Sequence, residues 1–286
     1  MKDIGVIIRD SLPDLCTSER AVGEFILNNY NTVITTPISD LADKSNVSRS
    51  TWIRFSKTLG FTGFKELKNS IIVHLSNQSQ VTPSKSSDFV DVENFQNINE
   101  ICNYISNNSV QSITDTFSIV DYDEVLKVAT LIKKDRLIRT FGIGASGIVA
   151  QDLFQKFLRI GINVVCSQDF HVMVSSFTAI EKGDIVILFS QSGKTQEVVD
   201  LAKIAKAHGG VLIVVTSVGK NDLSSLGDYI LNTSTPEIEI RSGAMGSRIA
   251  QLMIVDLLFT LVTNKNFSSV KDNLAESYNS IKKYKM

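Results

Sequence analysis

The stretch Leu188 to Thr195, LFSQSGKT, gathers three hydroxyl side chains and a lysine around one glycine, directly after the apolar run Ile185, Val186, Ile187. Ser190, Ser192 and Thr195 can each donate a hydrogen bond, Gly193 lets the backbone come close to a bound group, and the helix start that follows leaves N–H groups without partners. These donors complement the acceptor oxygens of a phosphate monoester. The same residues could instead cap a helix and turn the chain, and the loop alone does not separate the two. A nucleoside triphosphate loop is excluded, because the pattern that contains G-K-T also needs a glycine five residues before its G-K, where Leu188 stands.

A second loop, Gly142 to Gly147 (GIGASG), places Ser146 at another strand-to-helix turn, with the helix expected to begin near Ile148. It resembles a dinucleotide-binding turn, but no acidic residue closes the next strand, Asn163–Cys166, to hold a ribose. A small anion held by backbone N–H groups and the helix dipole fits better. Two further residues could line the same mouth. Glu239, in TPEIEIRSGAMGSRIAQL, could bind sugar hydroxyls or act as a base beside a carbonyl; His171, in QDFHV, could face the mouth or be an ordinary surface or capping histidine. Proton abstraction beside a carbonyl also needs an acid or an electrophilic stabiliser, and no second group emerges, so no catalytic residue is assigned. Cys16, Cys102 and Cys166 lie far apart and are odd in number. No disulfide framework, metal site or cofactor is expected, and a reducing, cytoplasmic compartment fits.

A different chemistry sits near the N-terminus, in TPISDLADKSNVSRSTWIRFSKTLGF, Thr36 to Phe61. Thr36 with Pro37 reads as a hydroxyl cap followed by proline at the first helical position, and Ser45–Asn46 as a stop with asparagine in a left-handed turn. Ser48 then caps a second helix whose buried stripe is Trp52, Phe55 and Leu59. This is a helix-turn-helix. Its second helix is expected to turn Arg49, Ser50, Thr51 and Arg54 outward, where arginine can pair with guanine and hydroxyls can reach bases or phosphates. Between Lys44 and Lys68 stand six basic residues and a single acid, Glu66, so a local positive excess survives a whole-chain charge of −1.

The elements that must position these residues divide the chain of 286 residues in two. SNQSQVTPSKSS, Ser76 to Ser87, is rich in serine and glutamine and reads as a linker. The expected layout is a helix-turn-helix domain over 1–75, a linker over 76–97 and a second domain over 98–286. Helices are expected at Ile98–Phe117 and Tyr122–Lys133. Short apolar runs at Leu137–Gly142, Asn163–Cys166, Asp184–Phe189, Val211–Thr216 and Tyr229–Leu231 then alternate with helix-length segments, the signature of a parallel sheet covered on both faces. Ligands on such sheets sit at the carboxyl ends of the strands, where both loops lie. The most apolar later segment, Ile249 to Val262, is interrupted by Gln251 and Asp256, so no membrane span is expected.

Taken together, TSERAVGEFIL, ISDLADKSNVSRSTWIRFSKTLGFTGFKELK, FGIGASGIVAQDLFQKFLRIGI, GDIVILFSQSGKTQEVVDLAKIAKAHGG and RSGAMGSRIAQL resemble the RpiR family of bacterial transcriptional regulators over nearly the full length. One departure is Trp52, where the family usually has a small aliphatic residue. The resemblance implies an all-α helix-turn-helix domain followed by an α/β SIS (sugar isomerase) domain, with a five-stranded parallel sheet sandwiched by helices. It implies an effector phosphate held by Ser146, Ser190, Ser192, Gly193 and Thr195, and a sugar approached by Ala145, His171, Gln191 and Glu239. It carries Arg49, Ser50, Thr51, Arg54 and Lys57 onto the recognition helix. The expected partners are operator DNA, a phosphosugar such as an N-acetyl amino-sugar 6-phosphate, and a second copy in a dimer or tetramer joined through the SIS domain. The alternative is a sugar-phosphate isomerase or lyase with an accessory DNA-binding domain.

Overall fold

The computed structural model describes residues 3–77, 97–236, 244–265, 267–282 and 284. Contacts divide the chain into two compact units, one of residues 1–106 with 117–119 and one of 107–116 with 120–286. Most of the expected linker, from 78 to 96, lies outside the described residues, as does Glu239 in the segment 237–243.

The first unit is helical: α1 (Ile4–Ser11), α2 (Thr17–Asn28), α3 (Tyr30–Thr35), α4 (Ile38–Lys44), α5 (Arg49–Thr58) and α6 (Phe64–Asn77). Helices α1 and α3, of eight and six residues, were not legible in the sequence, being short. Asp3 caps α1 by accepting from the backbone N–H groups of Gly5 and Val6, and its carboxylate also meets Nδ1 of His74 on α6 at 2.9 Å. The core centres on Trp52 and Phe55, both fully buried, with Val22, Ile26, Leu41, Leu67 and Ile71 around them. Trp52 meets Phe25 and Phe64 edge to face, with ring centroids 6.0 and 5.5 Å apart, and its indole N–H donates to the Ser45 hydroxyl at 3.0 Å. The polar tip of a buried tryptophan thus finds a partner, which is how so large a side chain fills a position expected to hold a small aliphatic one. Leu59 is only half-buried against the same core.

The second unit holds the middle of α7 (Ile98–Ile119), then α8 (Tyr122–Leu131) and an alternation of strands and helices: β1 (Ile138–Gly142), α9 (Ala145–Arg159), β2 (Val164–Cys166), α10 (Phe170–Thr178), β3 (Ile185–Phe189), α11 (Gln196–Ala207), β4 (Val211–Ser217) and β5 (Tyr229–Thr233). Helices α12 (Met245–Lys265) and α13 (Phe267–Lys282) complete it. All four pairings are parallel and the strand order is β2-β1-β3-β4-β5. Helices α10 and α11 cover one face, where Phe141, Met173, Phe177, Val186, Leu188, Leu212 and Val214 form the core. Side chains alternate along a strand, so Ile185, Ile187 and Phe189 turn to the other face, the side on which α9 packs against α12. Helix α12 has a mean hydropathy of 1.5 and the length to cross a bilayer, yet Ala250, Ile254, Val255, Leu258 and Val262 form a buried core face. A buried arginine on β1 ties the sheet to α10: Arg139 pairs with Asp184 at 2.6 Å and donates to the carbonyls of Ser176 and Ala179 at the helix end. A cation at a helix carboxyl end is favoured by the dipole.

Candidate functional site

The chain leaves β1 to one side for β2 and returns to the other side for β3, so the sheet order reverses between β1 and β3. A crevice opens at the carboxyl ends of strands at such a point. Gly142 pairs with Phe189 in register, which sets the turn after β1 beside the turn after β3.

In the β3 turn, Ser190 is anchored by its N–H to Val215 of β4 at 3.1 Å, and its hydroxyl lies 3.2 Å from that of Thr195. Gly193, at φ 62°, donates its N–H back to the Ser190 hydroxyl at 3.2 Å. The Ser192 hydroxyl accepts from Lys194 N–H at 3.2 Å. Thr195 stands at the N-cap position of α11 without capping it through its side chain, and the N–H groups of Gln196 and Glu197 have no acceptor among the described residues. Three hydroxyls, a left-handed glycine and a helix N-terminus therefore converge within six residues. The loop is braced from behind. Thr233 of β5 donates to Gln191 Oε1 at 2.9 Å, Ser217 N–H to the Gln191 carbonyl at 3.1 Å and Leu223 N–H to the Gly193 carbonyl at 3.0 Å. Gln191 is buried, with its amide oxygen turned to Thr233. Thr233 and Leu223 were not singled out from sequence; nothing in their local pattern marks them, since they act through tertiary contacts.

In the β1 turn, α9 begins at Ala145, three residues earlier than expected, because Gly144 at φ 60° makes the bend that lets the helix start at once. Ser146 is thus the second residue of the helix, with a hydroxyl that makes no hydrogen bond among the described residues. Ala145 and Ser146 are both half-buried. His171 is exposed at the start of α10, past the edge strand β2, and makes no hydrogen bond to either loop among the described residues; Asp169, not His171, caps that helix. It stands at the rim of the row of carboxyl ends. The half-buried Cys166 thiol nearby is pushed up to about 11 by desolvation. No group of three metal-ligating side chains occurs among the described residues.

In the first unit, Asn46 takes the left-handed turn at φ 54° and Ser48 caps α5 by accepting from Thr51 N–H at 3.2 Å. Helix α4 starts one residue later than expected, with Pro37 at the cap position and no side-chain cap; Thr36 instead offers its carbonyl to Lys68 Nζ at 3.1 Å. Arg49, Ser50, Arg54 and Lys57 are exposed on α5, joined by Ile53, which is 43 % exposed. Thr51 is not on that face. It is buried, its hydroxyl 2.9 Å from that of Ser48, because a residue four before Phe55 shares its side of the helix. Arg54 is exposed but tethered to Glu19 at 2.8 Å, which holds its guanidinium above its ordinary value. Glu66, the lone acid of the region, accepts from Thr62 N–H and hydroxyl at the start of α6 and is held below its ordinary value.

A helix-turn-helix unit joined to a parallel sheet with a hydroxyl-lined turn at its switch point is the layout of a DNA-binding regulator with a sugar-isomerase-type sensor domain. Residues 3–78 match the helix-turn-helix domain of the rpiR family, and residues 130–261 match the SIS domain. An HTH-type transcriptional regulator of Caldanaerobacter subterraneus is 34 % identical over 270 residues, 94 % of each chain. The regulator RpiR of Escherichia coli is 28 % identical over 91 % of this chain and 86 % of its own. Among solved structures, the Vibrio vulnificus NanR protein complexed with ManNAc-6P is similar over 97 % of both chains, with a TM-score of 0.60 and 25 % identity. The chain belongs to the RpiR family of helix-turn-helix transcriptional regulators.

Proposed function

We propose that this regulator binds operator DNA through α5 and that a phosphosugar in the crevice between the β1 and β3 turns changes that affinity. The observation that carries the effector reading is the Ser190–Thr195 hydroxyl pair, 3.2 Å apart, beside the N–H groups that open α11, which have no acceptor among the described residues. With Ser192 and Ser146 these groups would hold the phosphate, while Ala145, Gln191, His171 and Glu239 would read the sugar. The NanR complex supports an N-acetyl amino-sugar 6-phosphate as the effector class. Arg49, Ser50, Arg54 and Lys57 would meet the duplex directly. The protein would work in the cytoplasm as a dimer or tetramer joined through the SIS domain. A ligand shifts such an assembly only by binding its two states unequally. Closure around the sugar would therefore alter the spacing of paired recognition helices, which must match half-sites about 34–36 Å apart or a multiple of that.

Thermal shift of the full chain against pentose, hexose and N-acetyl amino-sugar 6-phosphates tests this, since a ligand bound to the native state alone raises stability. The expected result is stabilisation by an amino-sugar phosphate that Ser190→Ala with Thr195→Ala removes. No stabilisation by any sugar phosphate would overturn the effector reading.

A further inference from the structure

Arg54 lies on the outward face of α5, yet most of its donors are committed inside the domain. Nε donates to Oε1 of Glu19 at 2.8 Å, and Nη2 donates to the Ser18 hydroxyl at 3.1 Å with the Cys16 sulfur 3.8 Å away. All three partners stand at the start of α2. Thr58, one turn further along α5, donates to the same Glu19 oxygen at 3.3 Å, and the Cys16 thiol approaches the other at 3.4 Å. The Glu19 side chain is 8 % exposed and that of Arg54 59 %. The carboxylate is therefore buried with contacts to both oxygens, while the guanidinium reaches solvent.

Two consequences follow from the chemistry of arginine. Its five N–H donors lie in one plane, so fixing Nε and Nη2 fixes the plane, and the pair on Nη1, without a hydrogen bond among the described residues, becomes the working edge. The ion pair also cancels the charge of Arg54. Arg49 and Lys57, exposed on the same helix, form no ion pair among the described residues. They keep full charge for phosphates, an attraction that carries no sequence information. Stability alone gives little reason for the pair, because an ion pair whose cation reaches solvent contributes little.

We infer that Glu19 is a positioning residue that sets the DNA specificity of this protein, holding Arg54 in one orientation for a base-edge acceptor and cancelling the charge that would draw it to any phosphate. This rests on the reading of α5 as the DNA-contacting helix.

Glu19→Gln keeps the shape and one acceptor oxygen but removes the charge. The probes are a duplex enriched by the wild-type full chain from a randomised pool and a composition-matched scrambled duplex, titrated by fluorescence anisotropy between about 50 and 200 mM salt. In Glu19→Gln the slope of log affinity against log salt on the scrambled duplex steepens by about 0.9, one further phosphate. Affinity for that duplex rises, and discrimination between the two falls about tenfold. In an Arg54→Gln background the same change at Glu19 alters neither quantity. Equal loss on both duplexes with unchanged slopes, or an effect that persists without Arg54, would overturn the role of Glu19. If Glu19→Gln does not fold, Arg54→Lys supplies the second arm, because lysine keeps the charge but cannot take the two-point anchor; unchanged discrimination there would overturn the inference equally. A wild-type chain that enriches no duplex at all would instead sink the DNA reading of α5 and this inference with it.

Discussion

A methyl group placed on Gly193 would lie 2.0 Å from Oδ1 of Asn221, an oxygen already held by Ser224 N–H at 2.8 Å. Asn221 Nδ2 in turn donates to Thr216 at 3.2 Å, so the asparagine has no room to retreat. The turn that follows β3 is thus pressed against the β4–β5 connection with a glycine at the point of contact.

Gly193→Ala meets two obstacles, the positive φ and the asparagine. The backbone conformation alone costs about 1–2 kcal/mol in a residue with a Cβ. We expect sugar-phosphate stabilisation in a thermal shift to fall at least about tenfold in ligand dose, while affinity for DNA without effector stays within about twofold, since the second unit does not supply the recognition helix. Loss of both activities together would show that the turn supports the whole chain rather than the ligand.

Trp52 carries the N-terminal core. Trp52→Ala removes a fully buried side chain, its two edge-to-face contacts and the bond to Ser45, at about 3–5 kcal/mol. That is a large part of the stability of a small domain. Chemical denaturation followed by circular dichroism should show an early transition that accounts for the helical unit and leaves the α/β unit unchanged. A midpoint equal to wild type would mean that the indole is not the keystone of this core.

Asp3 makes the first unit sensitive to acid. Burial pushes its carboxyl up, but the hydrogen bond and charge of His74, with the N–H groups of Val6 and Gly5, outweigh that and leave it below its ordinary 3.8. A carboxyl lowered in the folded state adds stability that is complete above its unfolded value and disappears as pH falls through the folded one. Asp3→Asn should therefore lower the melting temperature at neutral pH and flatten the fall in stability below about pH 4. Parallel acid limbs for the two proteins would remove Asp3 from the explanation.

Cys166 should be inert where the other two cysteines react. With its thiol raised to about 11, only about one part in a thousand is thiolate at pH 8, whereas Cys16 and Cys102 are exposed. Limited alkylation with iodoacetamide, read by peptide mass spectrometry, should label Cys16 and Cys102 and spare Cys166 in the native protein. Labelling of Cys166 at a comparable rate would contradict its raised thiol.

Much of the architecture was legible because it depends on local pattern. Apolar runs of three to six residues alternating with amphipathic segments marked all five strands within a residue or two, from Ile138–Gly142 to Tyr229–Thr233. Asn46 and Ser48 marked the turn and cap of the helix-turn-helix, since a left-handed residue and a capping hydroxyl have few alternatives. The hydroxyls after β3 were visible for the same reason: their types and spacing are themselves the chemistry.

Other features needed the folded chain. Thr51 looks outward by type but turns inward by phase, because the face of α5 that α2 and α6 cover is broader than its apolar residues mark. Arg54 and Glu19 stand 35 positions apart, and Gly193 and Asn221 are brought together by separate strands of one sheet. Residue type and spacing settle which elements form and which side chains can bind an anion or a base, because those depend on a few consecutive residues. Which of those side chains stay free to do so depends on what lies across the interface, and that is decided only when distant segments pack.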